Sequence, residues 1–269
     1  MAIITISRQM AAFGDEVSSL VAKKLNYKFL GKKELEEKIV RLGFPESKLQ
    51  KYDEKLPAFF ANLIKDRDEY LDYLQTAILE SAVENNCVFV GRGAFIILGQ
   101  LQNHLSFRII APENIRISRT VSKLKISEKS AKKKLLDSDK NRLGFHKSFF
   151  NYQIDDPSLY HAVINTGLFD IDCATDFIAG TVNSVVSKEK ENLGTACAEE
   201  LLICQRIVNM LVLDYNLNIN FMRATCRNGK ITLHGTTDSA QIAKKALVIA
   251  RAELPQFKVD SALQIVRDF

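Results

Sequence analysis

Three short segments carry residues that could bind a phosphate group. Ser7 to Glu16 follows the apolar run at the N-terminus, and Gly91-Arg92-Gly93 follows a second apolar run. The third segment contains Asp139 and Arg142 in a lysine-rich stretch. Backbone N–H groups of a loop can cradle phosphates, and a guanidinium group binds them in a bidentate geometry. These residue types indicate phosphate binding, and phosphoryl transfer if the chain holds both a donor and an acceptor.

The segment from Ser7 to Glu16 departs from a working phosphate loop. Such loops have several glycines, which let backbone N–H groups approach the phosphates, and a lysine that reaches them. This segment has two alanines and Phe13 before its single glycine, Gly14, and two acids follow. We interpret it as a phosphate loop that has lost working parts. The alternative is an ordinary strand-to-helix turn whose acids favour the positive end of the helix dipole.

Apolar runs and helical periodicities alternate along the first two thirds of the chain. Short all-apolar runs such as Cys87–Val90 are typical of strands buried on both faces. The predicted strands are residues 3–6, 27–30, 87–90, 105–111 and 160–166, and the predicted helices are 17–25, 32–42, 68–85, 95–101, 114–124, 127–142 and 172–188, with one more starting at Pro57. The alternation predicts an α/β domain over residues 1–188, with a parallel sheet and helices on both faces. Ligands of such sheets bind at the carboxyl ends of the strands, beside residues such as Ser7 and Arg92.

The pattern changes after residue 188. Residues 189–196 are charged and poor in apolar side chains, and we predict a linker there. Residues 197–269 then read as helix, strand, strand, helix and strand, with Asn228-Gly229 as a hairpin turn. This order predicts a small α+β domain with an αββαβ arrangement.

Composition limits the class of protein. The 269 residues are 46% hydrophobic and 26% charged, as in ordinary globular proteins. We read neither a signal peptide nor an apolar run of the roughly 18 residues that span a membrane, and expect a cytoplasmic protein. The five cysteines form no CxxC pair and the four histidines lack metal-ligand spacing, so we expect no disulfide framework and no metal site.

The positive charge is concentrated in one stretch. Between Lys123 and Lys147 there are nine basic residues against three acids, a net charge of +6 in a chain of net charge +5. Nucleic-acid-binding proteins more often carry a basic face across a whole domain. We therefore expect a nucleotide or another small anionic ligand, and no nucleic acid.

Four segments in order carry a resemblance to a known family. They are Ile4-Thr5-Ile6-Ser7-Arg8-Gln9, Phe89-Val90-Gly91-Arg92-Gly93-Ala94, Asp139-Lys140-Asn141-Arg142, and Tyr160 through Thr166. Together they resemble the cytidylate-kinase-like branch of the P-loop nucleoside monophosphate kinases. The resemblance implies a P-loop kinase-like fold, with Mg-ATP as donor if the protein is active and no cofactor otherwise.

The resemblance also implies roles for individual residues. The nucleotide would be bound by Ser7, Arg8, Gln9, Ala11, Ala12, Gly14, Asp15, Arg116 and Arg119, the last two flanking the donor base. Arg92 would grip the acceptor phosphate. Asp139 and Arg142 would order a lid formed by residues 127–147 and place an arginine on the transferring phosphoryl group. For these arginines and the lid, the alternatives are surface or salt-bridged arginines and a solvated lysine-rich helix.

Two residues that the family uses for catalysis are missing from this sequence. Gly14 stands about where the family's phosphate-loop lysine would be, and Asp15 and Glu16 follow where small or hydroxyl residues help hold magnesium. A further lid arginine, expected one turn before Asp139, falls near Leu135 and is missing.

The C-terminal domain resembles a BON domain. The hairpin from Asn228 to Thr236, followed by a helix that begins at Asp238, carries the resemblance. BON domains are generally binding modules and supply no catalysis.

Two functions from different classes remain open. The first is a cytidylate kinase-like enzyme whose phosphoryl transfer is impaired by the altered loop. The second is a non-catalytic pseudokinase, a sensor or scaffold that binds a small anion through the kinase fold or the BON-like module. Both functions are compatible with a homo-oligomer.

Overall fold

The structure is a computed structural model that describes residues 2–49, 52 and 64–266. Pro57, where the sequence predicts the start of a helix, lies outside the described residues. Within the described chain, parallel strands form a five-stranded sheet in the order β2-β3-β1-β4-β5. The strands are β1 (Ile3–Arg8), β2 (Lys28–Leu30), β3 (Cys87–Val90), β4 (His104–Ile110) and β5 (Ala162–Asn165). The predicted parallel sheet is confirmed.

Helices cover both faces of this sheet, as the sequence predicts. They are α1 (Gly14–Leu25), α2 (Lys32–Arg41), α3 (Glu46–Leu49), α4 (Ile64–Val83), α5 (Ala94–Ile97), α6 (Glu113–Leu124), α7 (Glu128–Phe150) and α8 (Ile171–Val185). Alternate residues of β1 enter two different apolar clusters, since successive side chains of a strand point to opposite faces. Ile3 packs with residues of α2 and α4, whereas Ile4 and Ile6 pack with residues of α1 and α8.

Helix α7 is longer than predicted. It begins after Ser127, whose hydroxyl oxygen accepts a hydrogen bond from the backbone N–H of Ser130 at 3.3 Å, so the predicted N-cap is confirmed. It continues past Arg142 to Phe150 because Phe145, Phe149 and Phe150 pack in or against the core on the α4 side. Asn151 ends it in the left-handed conformation.

The C-terminal residues form the predicted αββαβ arrangement. Helix α9 (Lys188–Asn209) continues into a π-helical segment, Met210–Asp214, and is followed by β6 (Asn220–Arg227), β7 (Lys230–Thr237), α10 (Ala240–Glu253) and β8 (Lys258–Ile265). β6 and β7 pair antiparallel around Asn228-Gly229, and β8 pairs parallel to β7. Ile231, Leu233 and Val259 of this sheet pack with residues of α9 and α10.

The linker predicted at residues 189–196 is helical. These residues form the start of α9, which Ser187 caps by accepting a hydrogen bond from the backbone N–H of Lys190. The charged stretch remains helical because the cap initiates it and because Ala198 and Leu202, further along α9, pack in the core that contains α4 residues. α9 therefore connects the parallel sheet region to the C-terminal sheet without a break. No helix in the described chain is long and apolar enough to cross a membrane.

Candidate functional site

The loop between β1 and α1 adopts a compact turn without the expected glycines. Ala11 and Phe13 both have φ of 59°, in the left-handed region. That conformation costs an L-residue with a side chain roughly 1–2 kcal/mol. It persists only where the surrounding structure fixes it, and such residues cluster at functional sites.

Contacts from α6 and from the end of β5 fix this loop. The Arg119 guanidinium donates hydrogen bonds to the carbonyl oxygens of Ala11 at 3.2 Å and Thr166 at 2.6 Å. The same group lies 3.8 Å from the centroid of the Phe13 ring. The Thr166 hydroxyl donates to the carbonyl oxygen of Ala12 at 2.9 Å. Arg119, expected to flank a donor base, therefore contacts the loop itself.

The first turn of α1 carries acids that are already paired. Arg8 Nε donates to Asp15 Oδ1 at 2.8 Å, and Glu16 lies 3.3 Å from Lys123 Nζ. A side chain at Gly14 would collide with the Arg8 side chain, so glycine lets Arg8 cross the loop. The segment offers a triphosphate two carboxylates and no lysine. These residues do not fit Mg-ATP in the manner of a working phosphate loop.

A small pocket lies at the carboxyl ends of β1 and β4, beside α7. Its volume is about 40 Å³. The lining residues are Arg8, Gln9, Arg108, Asp139, Arg142, Leu143, Ile154 and Asp155. Three arginines thus meet there, and we call this cavity the arginine pocket. Convergent guanidinium groups at this edge of a parallel sheet suit an oxyanion such as a phosphate.

Arg108 is the most deeply buried of the three arginines that line this pocket, and 4% of its surface is exposed. β1 and β4 pair so that Ser7 lies opposite Arg108, and Arg108 Nη1 donates to Ser7 Oγ at 3.2 Å. The guanidinium stands 5.6 Å from the centroid of the Tyr160 ring. Its other terminal nitrogen pairs with Asp155. Ser7, expected to bind nucleotide, contacts Arg108, and its role in nucleotide binding stays a prediction.

Asp139 and Arg142 lie on one side of α7, and both line the arginine pocket. Asp139 Oδ2 accepts a hydrogen bond from Arg116 Nη1 at 2.8 Å. Arg116 Nη1 also lies 3.5 Å from the carbonyl oxygen of Met10. Arg116 thus links the loop to α7, and the structure brings these three predicted residues together.

An apolar cluster fastens α7 to the loop. Ile117, Ala131 and Leu135 are its buried members, and the loop residues Met10 and Ala11 pack against them. Leu135 is the position where the resemblance would place a lid arginine, and it is 1% exposed. Ala11, which occupies a loop position where a working phosphate loop has glycine, therefore packs against the cluster that contains Leu135.

Arg92 lies outside the arginine pocket lining. It is 2% exposed, and its guanidinium donates to Glu36 Oε1 and to the carbonyl oxygen of Tyr52, both at 2.7 Å. This is the salt-bridged alternative to the expected grip on an acceptor phosphate. A catalytic role for Arg92 stays a prediction, and a ligand would have to compete with Glu36 for it.

Sequence reasoning missed Arg108 and Asp155. The available signal for Arg108 was a charged residue in an otherwise apolar predicted strand, near its carboxyl end. Asp155 carried no comparable signal, because its role depends on where residues 151–156 return to the sheet. Among the described residues, no group of three or more His, Cys, Asp or Glu side chains is placed to hold a metal ion.

Comparisons with known proteins find a family model, one curated relative and a similar solved structure. The model of the cytidylate kinase-like family matches residues 3–168. A cytidylate kinase from Methanocaldococcus jannaschii is 23% identical over 186 residues, which make up 68% of this chain and 98% of that relative. The crystal structure of an uncharacterized protein from Eubacterium ventriosum is 25% identical with a TM-score of 0.55, covering 68% of this chain and 99% of that chain.

Proposed function

We propose that this chain, which belongs to the cytidylate kinase-like family, binds a nucleoside monophosphate such as CMP but transfers phosphoryl groups from ATP poorly or not at all. The observation that carries the proposal is an asymmetry between neighbouring parts of the site. The arginine pocket places three guanidinium groups around one cavity, and its two carboxylates, Asp139 and Asp155, are paired with Arg116 and Arg108. The loop that would hold a triphosphate supplies Asp15 and Glu16 and no lysine.

Ligand binding is supported by the chemistry of the pocket. Arg8, Arg108 and Arg142 line a cavity of about 40 Å³ at the edge of the sheet where ligands of parallel sheets bind. Guanidinium groups recognise phosphate oxygens in bidentate geometry. The relative from Methanocaldococcus jannaschii is named a cytidylate kinase, which favours a pyrimidine nucleoside monophosphate as the ligand.

Weak phosphoryl transfer is supported by three features of the donor side. The phosphate-loop lysine is absent, the lid arginine is replaced by Leu135, and Ala11 and Phe13 add side chains where a working loop has glycine. Losing one electrostatic contact to the transition state typically lowers the rate by about 10²–10³-fold. Two such losses would reduce turnover to a trace.

Active phosphoryl transfer is the second candidate. It is favoured by Asp139 and Arg142, which line the pocket together, and by the strained turns at Ala11 and Phe13, which keep a compact loop despite their cost. In this reading, Arg142 would contact the transferring group.

We also propose that the C-terminal αββαβ region is a BON-like binding module. Its hairpin, following helix and parallel third strand support the proposal. A non-catalytic kinase fold joined to a binding module would serve as a sensor or scaffold, because one part can hold a small anion while the other contacts a partner.

Calorimetric titration of the purified chain with CMP, dCMP and ATP tests the proposal. We expect CMP or dCMP to bind and Arg142→Gln to weaken that binding about tenfold or more. Arg223→Gln, which changes an exposed arginine of β6, is the charge-matched control and should leave it unchanged. Absence of CMP and dCMP binding would overturn the proposed ligand.

A further inference from the structure

We propose that Asp155 is an exchangeable counter-ion, whose carboxylate occupies the anion position of Arg108 until the phosphate of a ligand replaces it. This inference rests on the proposed function, because it assigns a phosphate monoester to the arginine pocket. It adds that Asp155 competes with the ligand for Arg108, and that phosphate monoesters are the class of ligand able to displace it.

Arg108 is fixed in place. Its side chain is 4% exposed, it contacts Ser7 Oγ at 3.2 Å, and it rests against the Tyr160 ring at 5.6 Å from the centroid. Tyr160 is itself held, because its hydroxyl donates to the carbonyl oxygen of Ile154 at 2.9 Å. The guanidinium therefore remains buried whether or not Asp155 stays with it.

Asp155 is not held in the same way. It lies in the short connection between α7 and a 3₁₀ turn at Pro157–Leu159, and its side chain is 58% exposed. Returning an exposed carboxylate to water costs little. Leaving the buried Arg108 guanidinium without any anion is less favourable than returning the exposed Asp155 carboxylate to water. Arg108 thus requires an anion, and a ligand can supply one in place of Asp155.

The neighbouring charges decide which ligands succeed. Arg8 and Arg142 line the same cavity as Arg108, and the carboxylate of Asp139, which also lines it, is paired with Arg116. A phosphate monoester carries up to two charges and three terminal oxygens, so it can address more than one guanidinium group. A free monocarboxylate has only the charge that Asp155 has, and it lacks the high effective concentration of a tethered side chain. The pocket should therefore select phosphate monoesters over carboxylates.

Substitution of each partner tests the exchange by calorimetry with CMP, cytidine and inorganic phosphate as probes. Asp155→Asn should bind CMP and inorganic phosphate roughly fivefold more tightly than the wild type. Arg108→Lys keeps the positive charge but loses the bidentate guanidinium group, so it should bind CMP and inorganic phosphate at least about tenfold more weakly. Asp137→Asn, which removes an exposed carboxylate from α7, is the control and should not change either affinity. Cytidine, which lacks the phosphate, should respond to none of these changes.

Thermal unfolding gives a second readout that does not depend on the nucleoside. Asp155→Asn leaves Arg108 without its carboxylate, so its Tm should fall below that of Asp137→Asn. Inorganic phosphate should raise the Tm of Asp155→Asn more than that of the wild type, because it binds the native state more tightly.

The two hypotheses fail in different ways. Equal affinity of wild type and Asp155→Asn for CMP, with CMP bound, would overturn the exchange and leave the proposed function standing. Absence of CMP and dCMP binding to the wild type, with tight phosphate binding to Asp155→Asn, would overturn the proposed function and support the exchange. Absence of phosphate binding in both proteins would overturn the exchange.

Discussion

The guanidinium of Arg119 lies 3.8 Å from the centroid of the Phe13 ring, so α6 holds the loop after β1 by an aromatic contact. Phe13 is at the N-cap of α1 with φ of 59°. The contact and the strained backbone belong to the same residue, and the two can be separated by substitution.

Replacing Phe13 by alanine or by glycine should have different effects on stability. Both changes remove a cation–π contact worth about 0.5–1 kcal/mol. Alanine keeps a Cβ in the left-handed region, whereas glycine adopts it without that cost. We expect Phe13→Gly to be about 0.5–1 kcal/mol more stable than Phe13→Ala in urea unfolding. Equal stability of the two variants would show that the turn is not strained.

Helix α7 should depend on Leu135 for its attachment to the loop. Leu135→Ala removes a side chain at 1% exposure and should lower the free energy of unfolding by about 2–4 kcal/mol. It should also speed amide hydrogen exchange in residues 128–150. Leu136→Ala, one position along the helix, removes a side chain at 55% exposure and should cost under about 0.5 kcal/mol. Equal costs would mean that α7 is not fastened to the loop.

Asp72 should make the contact between α4 and α9 sensitive to pH. Burial raises the pKa of Asp72 to about 6, while its hydrogen bond from Gln205 Nε2, at 3.0 Å, opposes the shift and the nearby Asp68 charge adds to it. A carboxyl whose folded pKa exceeds its unfolded value of 3.8 favours folding when protonated. Its contribution is fully present below that unfolded value and is lost as the pH rises through about 6.

Asp72→Asn tests this dependence, because the amide stays neutral and keeps an oxygen for Gln205. We expect the variant to exceed the wild type by about 1–2 kcal/mol in unfolding free energy at pH 7.5 and to lose that advantage near pH 4. Asp137→Asn, at an exposed position of α7, serves as the control. A constant difference between Asp72→Asn and wild type from pH 4 to pH 7.5 would contradict the prediction.

The sequence predicts the elements well where the signal is local. Short apolar runs such as Cys87–Val90 became buried parallel strands, and Asn228-Gly229 became a hairpin turn. The stretch predicted as a linker, residues 189–196, is helical, because it is capped by Ser187 and belongs to α9, which packs against α4. Composition shows that this stretch lacks apolar residues. It does not show that a cap at Ser187 begins a helix that runs through the stretch.

The candidate site was predictable only in part, for a related reason. Asp139, Arg142, Arg8 and Gln9 line the pocket, and each could be named from its own segment. The function of Arg108 depends on the register that sets it opposite Ser7 and on the return of Asp155 to the sheet. Leu135 reads as a missing arginine in the sequence, whereas its packing with the cluster that holds Ala11 becomes visible only in three dimensions.

The central claim is that the arginine pocket binds a nucleoside monophosphate while the altered loop prevents efficient phosphoryl transfer. The most direct measurement incubates the purified chain with Mg²⁺, γ-labelled ATP and CMP or dCMP at concentrations that calorimetry shows to be saturating, and quantifies labelled diphosphate. We predict turnover at least about 10³-fold below the 1–100 s⁻¹ usual for kinases. Turnover within that usual range would contradict the account.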